Sequence, residues 1–203
     1  MDEEPVTVRD LLIELKDNSE LAVYLAYSAL MFKDRTIADE VSELEEKIDE
    51  LKARMRMATM LSVRNQEDAQ TVGPLLRIAS AADRISNSAS EIAELLQRGI
   101  EIHPIVFEAL EQAEEKVARS RVSEGSELIG KSLGEADLES KVGMMVIAIR
   151  REGGGWIWGP EDEVVVNQGD VLIARGPHDG ALILREISRG LRELRDFGGE
   201  EDE

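Results

Sequence analysis

The sequence predicts an α+β protein, with a helical bundle in residues 1–118, a small α/β domain in residues 119–197 and an acidic tail at 198–203. Three observations predict this division. Apolar residues recur every three or four positions in the first half, short β-branched and apolar runs follow it, and Gly and Pro separate those runs. A chain of 203 residues is long enough for two domains that each bury a core.

The second and third helices have the clearest periodicity. We expect the second to run from about Asp34 to Asn65, with an a/d seam of Ile37, Val41, Leu44, Ile48, Leu51, Met55 and Ala58. The third repeats the spacing before Gly99, with Leu75, Ile78, Ala82, Ile85, Ala89, Ile92 and Leu96 on its seam. Small residues on the third helix predict that it packs closely against its neighbours.

Weaker patterns complete the two domains. The first helix is expected to bend near Asn18–Ser19, and a fourth begins with Pro104 in its first turn and presents Val117 on its apolar side. Strands are predicted at 119–122, 142–150, 156–158, 163–166 and 171–174, and an amphipathic helix at 179–196 with Leu191 on its apolar side.

Composition excludes several classes of protein. The net charge of -19 argues against a partner recognised through its phosphate backbone, so no nucleic acid is expected, and against docking on anionic lipid. With no cysteine there is no disulfide or thiolate chemistry, which fits a cytoplasmic protein. No apolar run approaches the ~20 residues that span a bilayer, and no signal peptide is visible, so direct membrane insertion is not expected.

Three motifs of the second half occur in series. The segment from Ser126 to Leu133 reads Ser-Glu-Leu-Ile-Gly-Lys-Ser-Leu, a buried strand ends in Arg150-Arg151, and a hairpin carries Gly169-Asp-Val-Leu172. This series resembles the C-terminal regulatory domain of TrkA-type potassium-uptake proteins, the TrkA-C or RCK-C domain. The resemblance implies that two such domains pair and bind a nucleotide, such as cyclic di-AMP, between them. No Rossmann fingerprint precedes the domain.

The resemblance places the ligand at two strand segments, with Ile149, Arg150, Arg151, Ile157, Trp158 and Pro160 as the candidate ligand-binding residues. A guanidinium binds phosphate in a bidentate manner, and an indole stacks on a base. Trp156 and Trp158 share one face of a strand, however, which is also typical of a core or a dimer contact. Arg150 and Arg151 point to opposite sides, so at most one serves a given site.

Two helical segments, Ala38–Leu51 and Asp83–Glu94, resemble the helices of PhoU-like proteins. The chain has one three-helix repeat where a full PhoU protein has two, which implies a homodimer. PhoU bundles hold metal through acidic residues at i and i+4, and Glu45, Asp49 and Asp83 are the candidate ligands here. Since Asn87 stands in place of a further acid, the sequence favours solvated carboxylates over a metal site.

Together these patterns predict a non-enzymatic, cytoplasmic regulatory subunit of a potassium channel or transporter, since no nucleophile–base constellation is present. A homodimer is expected, peripheral to the membrane through a transporter chain. Two alternatives remain open: a metal-binding phosphate-signalling protein of the PhoU type, and a purely structural dimerisation subunit.

Overall fold

The computed structural model describes residues 7–194, which divide into two compact units at 102/103. The predicted boundary near Arg119 falls within a strand of the second unit. The acidic tail at 198–203 lies outside the described residues.

Three long helices form the first unit: α1 (Val8–Phe32), α2 (Arg35–Ser62) and α3 (Gln66–Gln97). Each helix packs against both others. The α2 seam is confirmed, because all its members are buried except Ala58, which is partly buried. Its Ile48, Leu51 and Met55 form one buried cluster with Leu11 and Leu15 of α1 and with two alanines of α3.

The buried face of α3 differs from the predicted seam. It is built almost entirely from small side chains, namely Ala79, Ala82, Ser86, Ala89 and Ala93, with Asp83 at its edge. Ile78 and Ile85, which were predicted to be on the seam, are 53% and 48% exposed. Small side chains let helix backbones approach closely, so the face with the smallest residues turns inward and the isoleucines beside it remain outside.

Side chains satisfy the backbone locally at two places in this unit. Helix α1 is unbroken from Val8 to Phe32 across the expected bend at Asn18–Ser19: Asn18 donates to the Glu14 carbonyl at 2.6 Å and Ser19 to that of Lys16 at 2.9 Å, so both are accommodated within the helix. Helix α3 begins well before the predicted seam, because the Asn65 side chain caps it by accepting from the Asp68 amide at 2.9 Å.

The second unit is a four-stranded antiparallel sheet with short helices. Its elements are α4 (Pro104–Glu111), β1 (Glu115–Arg121), α5 (Leu133–Ala136), α6 (Leu138–Val142), β2 (Met145–Arg150), β3 (Trp156–Trp158), β4 (Val171–Pro177) and α7 (His178–Ser188). The strand order is β1-β4-β2-β3, and every neighbouring pair is antiparallel. The two units together give the α+β fold that the sequence predicts.

Three expectations for this unit are corrected. Val117 lies in β1 opposite Arg175, since α4 ends at Glu111. The predicted strand at 163–166 is reduced to one isolated bridge, between Ser132 and Val165. Helix α7 ends at Ser188, where the left-handed Gly190 (φ 69°) closes it, and Leu191 is consequently 74% exposed.

The packing of α3 against the other helices through small side chains leads to a prediction about stability. We expect Ala89→Leu to lower the free energy of unfolding by about 1–3 kcal/mol, because Ala89 is 2% exposed and the added atoms have no space. The same substitution at the exposed Ala69 of α3 is the control and should change it little. Chemical denaturation followed by far-UV circular dichroism measures both. Equal effects at the two positions would show that α3 does not pack through its small residues.

Candidate ligand-binding face

The register of the sheet places arginine and tryptophan side chains on one face. Residues directly opposite one another in antiparallel strands point to the same side. Across the sheet, one row consists of Arg121, Val171, Arg150 and Trp156, and the next of Arg119, Ile173, Ala148 and Trp158. Arg175 of β4 lies on the same side, one row further along. We call Arg119, Arg121, Arg150, Arg175, Trp156 and Trp158 the arginine–tryptophan face.

The opposite face of the sheet holds the core. Ile149, Leu172 and Ala174 pack there in one cluster with Leu184 and Ile187 of α7. Two of the predicted ligand-binding residues therefore lie on the core side: Ile149 is fully buried, and Ile157 packs against the cluster. Neither side chain is on the arginine–tryptophan face.

The two indoles and Arg150 form a continuous stack. The ring centroids of Trp156 and Trp158 are 4.6 Å apart with an interplanar angle of 17°, and the Arg150 Cζ lies 5.5 Å from the Trp156 centroid. All three side chains are half-buried. Among residues 7–194, leaving aside Glu111, no carboxylate forms an ion pair with Arg150. Its guanidinium lies over the Trp156 ring.

Two other arginines of this face have carboxylate partners. Arg121 pairs with Glu152, and Arg175 lies 3.3 Å from Glu115. Four arginines thus lie on one face of the sheet, in a chain whose net charge is -19. Sequence reasoning missed Arg119, Arg121 and Arg175. The i, i+2 spacing of the first two was a usable signal, but their proximity to the tryptophans depends on strand order.

Arg151 serves the structure of the loop and not the arginine–tryptophan face. Its Nη1 donates to the Val165 carbonyl at 2.9 Å and pairs with the carboxylate of Asp170, which is 1% exposed. That carboxylate also accepts from the Asn167 amide at 2.8 Å. Arg151 and Arg150 point to opposite sides, as the alternation of a strand predicts. Pro160, also predicted to bind ligand, is half-buried just beyond β3.

The three predicted metal ligands meet between α2 and α3, around an ammonium group. Lys52 Nζ lies 2.5 Å from Asp83 Oδ2 and 3.8 Å from Asp49 Oδ1. With its amide nitrogen turned toward Glu45, Asn87 donates to Oε1 at 3.1 Å. The Lys52 ammonium thus supplies a positive charge beside Asp83 from within the chain. Within residues 7–194, no group of three or more His, Asp or Glu side chains is arranged to hold a metal ion.

Lys52 also controls the ionisation of this cluster. Burial alone would raise the pKa of Asp83, but hydrogen bonds with Lys52 and Asp49 outweigh it and lower that pKa. The hydrogen bond with Asp83, helped by burial, raises the pKa of Asp49. Burial raises the pKa of Glu45, and repulsion from Asp49 adds to the effect. Asp83 is therefore the member of the cluster that stays ionised most readily.

We expect Lys52→Met to destabilise the helical unit in a pH-dependent manner. Because the folded pKa of Asp83 is lowered, its contribution is fully present above the unfolded pKa and is lost as the pH falls through the folded pKa. The variant should lose about 2 kcal/mol of unfolding free energy at neutral pH, and less at acidic pH. Lys47→Met, which removes the exposed pair with Glu14, is the control and should cost under about 1 kcal/mol. A loss of unfolding free energy that does not depend on pH would show that it does not come from the ion pair between Lys52 and Asp83.

Substitution of Asp170 tests whether its buried carboxylate anchors Arg151. Asp170→Asn leaves the Arg151 guanidinium without its buried counter-charge, and we expect it to lower the free energy of unfolding by about 3 kcal/mol. Glu152→Gln makes the same chemical change at the exposed pair with Arg121 and should cost under about 1 kcal/mol. Both are measured by denaturation followed through tryptophan fluorescence, because the chain's 2 tryptophans lie in β3. Similar costs would mean that Arg151 is not anchored as described.

No helix within residues 7–194 is long and apolar enough to cross a membrane. No curated protein matches the chain.

Among solved structures, the RCK_C domain dimer of S. agalactiae BusR in complex with c-di-AMP is 33% identical, over 37% of this chain and 97% of that one, with a TM-score of 0.34.

Two further structures are more distant in sequence. S. agalactiae BusR in complex with its busAB-promotor DNA is 21% identical, over 86% of this chain and 97% of that one, with a TM-score of 0.34. The GsuK RCK domain is 18% identical, over 55% of this chain, with a TM-score of 0.35. The chain spans only 24% of the length of that GsuK chain.

With TM-scores this low, the assignment depends on the domain families and not on these structures. Residues 12–96 match the PhoU domain, within the three-helix unit. Residues 117–188 match the TrkA-C domain, from β1 to the end of α7. The chain is a PhoU-like helical domain followed by a TrkA-C (RCK-C) domain.

Proposed function

We propose that this chain is a non-enzymatic regulatory subunit of a potassium or other cation transporter, and that it senses a nucleotide on the arginine–tryptophan face of its TrkA-C domain. The observation that carries the proposal is the stack of Arg150, Trp156 and Trp158. It combines half-buried indole surface with a guanidinium that has no ion-pair partner among the carboxylates whose side chains the structure describes. A nucleotide has the matching parts, a phosphate and a base.

The chemistry of the face fits a phosphate ester better than a neutral or cationic ligand. Arg150 can donate two parallel hydrogen bonds to phosphate oxygens while its Cζ stays 5.5 Å from the Trp156 ring centroid. Arg119 and Arg121 of β1 lie on the same side of the sheet, where Arg121 is paired with Glu152. An adenine ring can extend the existing stack on Trp158, since base–aromatic stacking is worth about 1–3 kcal/mol per base.

Regulation requires that the ligand distinguish two states of the protein. In this proposal two TrkA-C domains pair, and the ligand binds one geometry of the homodimer more tightly than another. Only such a difference in affinity shifts the population. The helical domain would contact a membrane transporter chain or extend the dimer.

The absence of a nucleic-acid partner stays a prediction, as BusR is described in complex with promoter DNA.

Calorimetric titration of the purified chain with cyclic di-AMP, ATP, AMP and NAD tests the proposal. Cyclic di-AMP comes first because the BusR RCK_C domain is described in complex with it. We expect one of these nucleotides to bind and to change the fluorescence of Trp156 and Trp158. Arg150→Ala should weaken binding about tenfold or more, since hydrogen bonds to a charged group contribute about 1.5–3 kcal/mol.

The control is Arg189→Ala, which removes an exposed arginine beyond α7 and should leave the affinity unchanged. Equal affinities for the two variants would reject the arginine–tryptophan face as the site. If none of the nucleotides binds with a Kd below about 1 mM, the sensing role itself is rejected. The purely structural subunit would then be favoured.

A further inference from the structure

We propose that the PhoU-like domain carries a second interaction surface, at the hairpin where α2 ends and α3 begins, and that it docks on an anionic lipid surface. We call residues 52–82 the hairpin end. This surface lies in the helical domain and is independent of the ligand site proposed for the TrkA-C domain.

The hairpin end has a net positive charge, opposite in sign to that of the whole chain. Residues 52–82 contain five basic residues (Lys52, Arg54, Arg56, Arg64, Arg77) and two acidic ones (Glu67, Asp68), so its formal charge is 5 − 2 = +3. The rest of the chain has 24 − 5 = 19 basic and 43 − 2 = 41 acidic residues, a charge of -22. The overall value of -19 therefore conceals a basic segment.

Most of the positive charge of this segment is not neutralised. Lys52 is paired with Asp83, but Arg54, Arg56 and Arg64 are exposed. None of the carboxylates whose side chains the structure describes forms an ion pair with any of these three arginines. The Asp68 carboxylate is fixed in the turn, where it accepts from the Arg64 backbone amide at 2.9 Å.

Large apolar side chains project from the same stretch of α2. Met57, Met60 and Leu61 are 67%, 62% and 80% exposed, among the most exposed apolar residues that the structure describes. A helix advances about 100° per residue, which places these three on one outward arc with Arg54 on one side and Arg56 on the other. An apolar stripe flanked by arginines is the arrangement of helices that bind at a lipid–water interface.

An anionic bilayer surface satisfies both features at once. Its acyl boundary accepts Met and Leu side chains, and its phosphate groups accept the arginines. Duplex DNA would satisfy the arginines but leave the apolar side chains in water. A partner helix needs a groove, whereas side chains that are 60–80% exposed project outward.

The test is co-sedimentation of the full chain with phosphatidylcholine vesicles, with and without phosphatidylglycerol as the anionic lipid. We expect binding only to the anionic vesicles, and weaker binding as salt is raised. Arg56→Gln with Arg64→Gln should reduce partitioning about 25-fold, fivefold for each arginine. Leu61→Ser should reduce it about tenfold. These positions are exposed, so the variants should keep the circular dichroism and Tm of the wild type.

The matched controls are Arg189→Gln and Leu191→Ser, which change an exposed arginine and a 74% exposed leucine in the other domain. Both should bind anionic vesicles like the wild type. The proposal is overturned if the wild type does not bind them, or if the controls lose as much as the hairpin variants. It is also overturned if the hairpin variants lose binding to duplex DNA while no vesicle is bound, since the surface would then be a nucleic-acid site.

Discussion

A β-bulge between Val146 and Ala148 determines which side chains of β2 reach the arginine–tryptophan face. Before the bulge, Met145 is opposite Arg175; after it, Ala148 is opposite Ile173 and Arg150 is opposite Val171. A bulge adds one residue to one strand, and side chains alternate with a period of two. If the same sequence paired regularly from Met145 onward, with no bulge, Arg150 would face the core and Ile149 would face outward. The bulge therefore gives the domain both an apolar core and a cationic face.

The helical domain depends on a different constraint, the close approach of α3 through its alanine face. That approach brings Asp83 to Lys52, and it brings Asn87 within hydrogen-bonding distance of Glu45. Three carboxylates near one another would repel, and one ammonium offsets much of that repulsion. Two of the three acidic positions that suggested a metal centre, Asp49 and Asp83, thus lie beside a cation that belongs to the chain.

The sequence was sufficient for the fold and for part of the site. Periodicity located the α2 seam, and the motifs from Ser126 to Leu172 identified the second domain. The sequence did not indicate which face of α3 is buried, because its isoleucines and alanines are both apolar and only close packing distinguishes them. Nor did it show that Arg119 and Arg121 lie beside the tryptophans, since that requires the strand order β1-β4-β2-β3 and the bulge. The sequence also did not show that Arg151 pairs with the buried carboxylate of Asp170, because the two residues are distant in sequence.

The central claim is that a nucleotide binds where the bulge places Arg150 beside the two tryptophans. Hydrogen–deuterium exchange of the full chain, with and without a saturating concentration of each of cyclic di-AMP, ATP, AMP and NAD, tests it most directly. The account predicts slower exchange in β2 and β3, residues 145–158, and in β1 across the sheet. Slower exchange confined to the three helices of the PhoU-like domain, or no change in any segment, would contradict it.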